Sequence, residues 1–239
     1  TLEKLLHFLD PTYLKVIGAS LLLALSNTTL CLLVAYPLAY FMTFPGRRYS
    51  GLMLFFLIIP FWTNFLLHVY AWFFVLEREG IINQLLSWLH LTQQPLHLLN
   101  TIPSIMVMML YYYLPFMLLP IYSSLERFDH KLIEASLDLG AGSWHTVRRV
   151  IIPLSGRGIR SGIFLVFIPS FGEFAIPELM GGDKWVFAGN VISRFVLGDQ
   201  TEEYGAAFTV AAGAVLLLAI LLLNSVTKRI LDPGGGERS

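Results

Sequence analysis

Acidic and basic residues are spaced so unevenly that five stretches contain none: 16–46, 49–76, 80–125, 161–172 and 204–227. A helix crosses the ~30 Å hydrocarbon layer with ~20 mostly apolar residues. The pattern predicts five crossings, near 16–43, 50–76, 101–125, 159–180 and 206–228. The remaining apolar piece, 81–91, is too short to span and suits a helix lying at the interface, with Trp88 among the headgroups. Composition agrees: 56% of the 239 residues are hydrophobic and 13% charged, more apolar surface than a soluble core absorbs. The predicted class is an all-α membrane protein forming a single domain, 1–239.

The formal net charge is zero, but the charges are polarised. With segment 129–156 on the cytoplasmic side, eleven of the 16 Lys and Arg fall inside, among them Arg47, Arg48, Arg148 and Arg149. Five fall outside, and that bias supports the cytoplasmic placement. Glu77, Glu79, Glu178, Asp183, Asp199, Glu202 and Glu203 then lie outside. An acidic outer face favours cationic solutes or a basic partner surface, and it is equally the ordinary complement of a positive interior. The sequence begins at Thr1 with a crossing that enters from outside, so a preceding segment is expected. Cys31, the lone cysteine, reads as a small packing residue.

Pro37, Pro60, Pro115, Pro120, Pro169 and Pro177 punctuate the spans. Each removes a backbone donor, which lipid tolerates only where neighbouring helices or a polar cavity satisfy the freed carbonyl. Bent helices packed around a pathway are expected. Between the third and fourth crossings, Leu132, Ala135, Ser136 and Leu139 recur at helical spacing, predicting a short amphipathic helix. Gly140 supplies a left-handed turn or close approach. Ser143 is placed to cap a second helix over 144–151, and Pro153 to stop it.

Glu173 is the informative polar residue within the spans. Counted from Ser161 at ~1.5 Å per residue it lies about 18 Å into the membrane, where an acid costs about 2 to 3 kcal/mol unless it meets water or a cation. Phe171 and Phe174 flank it, and aromatic faces beside a carboxylate suit an ammonium group. The same carboxylate could instead pair with a neighbouring subunit or cap backbone broken at Gly172. Asn64 and His68, four apart with Trp62 nearby, share a helical face and could line the pathway. For His68 packing is the competing reading. Tyr111, Tyr112 and Tyr113 read as helix packing, without a binding role.

Glu134-Ala135-Ser136, three residues, Gly140, nine residues, then Val150-Ile151-Ile152-Pro153 resembles the loop by which permease subunits of bacterial ABC importers seat in their ATPase. Ser136, Val150 and Ile152 depart conservatively. Segments 59–64, 115–117, 120–126, 172–174 and 179–182 are similar to the first permease subunit of the spermidine/putrescine importers. That resemblance implies a type I importer bundle of six helices, the first preceding Thr1. It also implies a second permease subunit, an ATPase dimer, a periplasmic or lipid-anchored binding protein, and a polyamine cargo moved by alternating access across the bacterial inner membrane. Glu134 would serve docking and Gly140 the loop's conformation, neither being catalytic. No Gly-x-x-x-x-Gly-Lys-Ser/Thr loop occurs, so ATP and Mg would belong to the partner, with no cofactor or metal in this chain and no nucleic-acid partner. An importer of sulfate, molybdate, ferric iron or an opine, a secondary transporter and a purely structural membrane subunit are the alternatives.

Overall fold

The computed structural model describes residues 11–127, 129, 131–197 and 202–231, and within them the side chains of all but Glu134, Leu137, Asp183, Val196, Leu197 and residues 202–204. Every regular element among the described residues is helical. Three helices are long and apolar enough to cross a membrane unbroken: α1 (Pro11–Thr43), α5 (Ile102–Glu126) and α12 (Glu202–Leu231), whose qualifying stretch is Gly205–Leu231. Two further spans arise only if bent pairs are joined, which gives up to five.

The expected continuous crossing over 50–76 is broken. Helix α2 (Ser50–Ile58) tightens into a 3-10 turn (Ile59–Trp62), and α3 (Phe65–Leu76) departs at Asn64; the segments Arg47–Trp62 and Phe65–Trp88 on either side of the break meet at 105°. Proline chemistry explains the break, because Pro60 offers no N–H and its carbonyl is taken by Thr63, through the backbone at 3.0 Å and Oγ1 at 2.7 Å. Asn64 then starts a new helix, its Oδ1 accepting from Leu66 N at 2.8 Å. Asn64 is thus a cap in extended conformation, not a helical neighbour of His68. Helix α4 (Ile81–Trp88) occupies the short segment and carries an exposed Trp88. Its buried Asn83 ties together the loops before and after the helix, donating to Glu77 O and Leu96 O and accepting from Leu96 N.

Helices α6 (Lys131–Asp138), α7 (Ser143–Thr146) and α8 (Ile152–Leu154) follow, with a π turn (Val147–Ile151) between the last two. Helix α9 (Gly156–Phe171) then leaves at 64° to the segment before it. The expected crossing over 159–180 stops at Phe171, and α10 (Ala175–Gly181) resumes after Gly172–Phe174. Helix α11 (Ala188–Leu197) leads to α12.

The core lies among α1, α5 and α9. Met108, Met109, Met117, Leu118, Ile121 and Leu125 of α5 are completely buried in it. Close approach of α9 to α5 requires glycine: a Cβ on Gly158 would stand 2.5 Å from Pro120 O, and one on Gly162 would stand 2.8 Å from Met117 Sδ. Polar groups in these helices are satisfied internally, as an apolar surrounding demands. Ser20, Thr28 and Thr43 donate to carbonyls one turn back, and Asn27 donates to Ser170 Oγ at 2.8 Å. Cys31 is buried beside Asn27 Oδ1, a packing position as expected. Leu217, Leu218, Leu221 and Leu222 of α12 stay exposed, an apolar face suited to lipid.

Candidate functional site

Two places bring the singled-out residues together. The first is the knob built by α6 to α8. Gly140 sits at φ +81° directly after α6, and the turn is closed by Leu139 N to Ala135 O and Ala141 N to Ser136 O, both 3.1 Å. Its left-handed backbone is the reason glycine stands there, since a Cβ would meet nothing within 4 Å. Ser136, the departure from alanine, shares a 3.0 Å hydrogen bond with the Oγ1 of buried Thr146, which ties the two arms of the knob together. The expected cap at Ser143 is not formed. Gly142 holds the capping position and Ser143 is already helical.

Pro153 does not stop the second arm either. The chain stays helical to Leu154, because the widened π turn before it relieves the clash a proline ring makes with the preceding turn. The bend falls at buried Ser155, whose hydroxyl donates to Ile152 O and lies 3.4 Å from Tyr36 Oη of α1. The face predicted to be apolar is turned outward: Leu132, Ala135, Leu139 and Gly140 line an open groove of about 690 Å³ with His145 and Leu154. Leu139 is 89% exposed and Trp144 73%. Glu134 lies in α6, and its side chain is outside the described residues.

The second place is the break between α9 and α10. Glu173 is half-buried there, and both of its oxygens are engaged. Tyr113 Oη donates to Oε2 at 2.6 Å, while Ala175 N and Ile176 N donate to Oε1 at 3.0 and 3.3 Å. The carboxylate therefore does cap the backbone interrupted at Gly172. Buried Asn190 braces the other side, donating to Phe174 O and Glu178 Oε2 and accepting from Phe187 N. Gly189 presses on the break closely enough that a Cβ would stand 2.5 Å from Gly172 O.

The aromatic neighbours differ from those the sequence suggested. Phe171 does not stand beside the carboxylate as an open face: it is the last residue of α9 and 4% exposed, in a core with Ile17, Ala24 and Phe208, whereas Glu173 lies past the helix end in the break. Phe174 is exposed next to Glu173, and Trp62 is 83% exposed at the end of the 3-10 turn. Tyr113, set aside in the sequence as packing, is the residue that holds Glu173, and its neighbours Tyr112 and Phe116 both contact Phe61. No local signal linked them: the Tyr run and Glu173 share no periodicity, and only the folding of α5 against α9 joins them. His68 is held by Thr63 Oγ1 and stacks edgewise on Tyr111, a packing position.

Residues 35–234 match the family described as "Binding-protein-dependent transport system inner membrane component". The chain belongs to that family. This inner-membrane permease is 39% identical over 239 residues to the spermidine/putrescine transport system permease protein PotB of Salmonella typhimurium strain LT2, covering 97% of this chain and 83% of the relative. To PotB of Escherichia coli K12 it is 39% identical over 222 residues, 93% of this chain and 81% of that one. The molybdenum transport system permease protein ModB of Azotobacter vinelandii is 26% identical over 221 residues, 92% of this chain and 96% of that one. The permease also shares its fold with a bacterial ABC transporter involved in the import of the acidic polysaccharide alginate, at a TM-score of 0.68 and 17% identity, covering 95% of this chain and 83% of that chain.

Proposed function

We propose that this permease is one membrane-spanning subunit of an ATP-driven importer that moves polyamines inward by alternating access. The observation that carries the reading is the 39% identity to spermidine/putrescine permeases along 97% of the chain, against 26% to a molybdenum permease of similar coverage. A carboxylate at a helix break, with no basic partner among the described residues, supports a cationic cargo over an anionic one.

The knob docks the ATPase. Its exposed Leu139 and Trp144 supply an apolar surface, Ser136 and Gly140 give it one shape, and Glu134 makes a charge-assisted contact with the partner or fixes the loop's fold. Pro153 and the π turn join it to α9, so that displacement of the knob swings the helix that ends at Phe171, two residues before Glu173. ATP and Mg are bound by two ATPase subunits, a second permease completes the pathway, and a periplasmic or lipid-anchored binding protein delivers the solute. No cofactor is needed in this chain.

ATP hydrolysis by the co-expressed complex in lipid, with binding protein added, tests the reading. Stimulation by putrescine or spermidine and not by molybdate, sulfate or ferric complexes is expected. Stimulation by an anion alone would replace the cargo.

A further inference from the structure

We infer that Glu173 and a circuit of four aromatic rings form one subsite for a primary ammonium group of the transported solute, an inference that rests on the cationic-cargo reading above. The circuit closes on itself. Tyr113 contacts Tyr112 at 5.5 Å between ring centroids and Phe116 at 6.2 Å, and Phe61 contacts both of these at 5.6 Å. Tyr113 is the joint between rings and charge, because its hydroxyl is spent on Glu173 Oε2.

The carboxylate is prepared without being neutralised. A carboxylate offers about four acceptor positions, and three are taken here, all by uncharged donors. Among the described residues no lysine, arginine or histidine pairs with it. One acceptor position remains for an ammonium group. Three donors also fix both oxygens in place, so a cation meets an oriented carboxylate and loses little by waiting for it to turn.

The rings supply the other half. A cation within ~6 Å of an aromatic centroid is attracted to its face, more strongly once desolvated, and the methylenes of an alkyl amine are compatible with the same surface. The circuit is not sealed within this chain: Phe116 is 38% exposed, and Phe174 and Trp62, the chain neighbours of Glu173 and Phe61, are exposed as well. Both interrupted helices therefore converge on this subsite, Phe61 coming from the break before α3 and Glu173 from the break after α9. A terminal ammonium on a flexible aliphatic chain fits an acid beside an aromatic wall. A hydrated inorganic cation does not use the rings.

The test is import of labelled spermidine into proteoliposomes by the full complex, at saturating loaded binding protein, so that capture by that protein does not limit the rate. Phe116→Leu and Tyr112→Leu are expected to lower import roughly 3- to 30-fold and to raise the ATP hydrolysed per spermidine delivered. Phe116→Tyr, which keeps the ring face, is expected within about twofold of the unaltered complex. Subunit co-purification reports assembly. Import unchanged in both leucine variants overturns the subsite while leaving the cargo assignment intact. Equal losses in Phe116→Leu and Phe116→Tyr overturn it too, since packing alone then explains the residue. A wild-type complex that imports another solute and no polyamine overturns the cargo reading and the subsite with it.

Discussion

Tyr113 Oη donates to Glu173 Oε2 across 2.6 Å, joining the middle of α5 to the point where α9 breaks. The two residues are 60 positions apart in sequence, and their contact makes a lone membrane acid part of a built structure. Hydrogen bonds to a charged acceptor contribute about 1.5 to 3 kcal/mol. Tyr113→Phe keeps the ring and removes the donor, so it is expected to lower the thermal stability of the purified complex and to slow transport. Tyr122→Phe, which loses a contact to the exposed Glu126 at 3.1 Å, is the comparison expected to show little change. Melting curves of the two variants in detergent decide the point.

Glu173→Gln retains an oxygen for the backbone donors and removes the charge. Polyamine import should fall at least tenfold while the ATPase still co-purifies with the membrane subunits. Unchanged uptake across solute concentrations would return Glu173 to a capping role alone.

At Gly140 the cost of substitution is conformational. A left-handed backbone costs an ordinary L residue about 1 to 2 kcal/mol, and asparagine less. Gly140→Val should uncouple ATP hydrolysis from transport more severely than Gly140→Asn, with both proteins reaching the membrane. Equal coupling in the two variants would show that the left-handed turn is not what docking needs.

Glycines in the spans divide sharply. Gly158→Ala sets a Cβ 2.5 Å from Pro120 O and 2.6 Å from Ser124 Cβ, and should destabilise by about 1 to 3 kcal/mol through overpacking. Gly213 has nothing within 4 Å of its would-be Cβ, and Gly213→Ala should be neutral or stabilise by up to about 1 kcal/mol. Thermal melting of the two variants separates helix crossing from lipid exposure.

Charge-free runs made the helical class and most helix positions legible, since burial in lipid leaves a mark on every residue of a span. The breaks were less so. Pro60 and Gly172 were visible as irregularities, but the 105° turn depends on Asn64 capping α3, and the end of α9 depends on Glu173 capping α10. Pro153 misled for a related reason: a proline stops a regular helix, and the π turn ahead of it makes the helix irregular enough to continue. Phe171 was assigned by proximity in sequence to a site whose aromatic wall comes from α5 and the 3-10 turn. Asn190 and Asn83 left no trace, because a single buried amide that satisfies loop backbone has no periodicity to betray it.

The most direct measurement is ATP-dependent uptake of labelled spermidine and putrescine, beside molybdate, into vesicles carrying the assembled complex and its binding protein, with Glu173→Gln in parallel. Uptake of a polyamine that requires ATP and collapses in Glu173→Gln is the predicted result. ATP-dependent uptake of molybdate with no uptake of either amine would contradict the account.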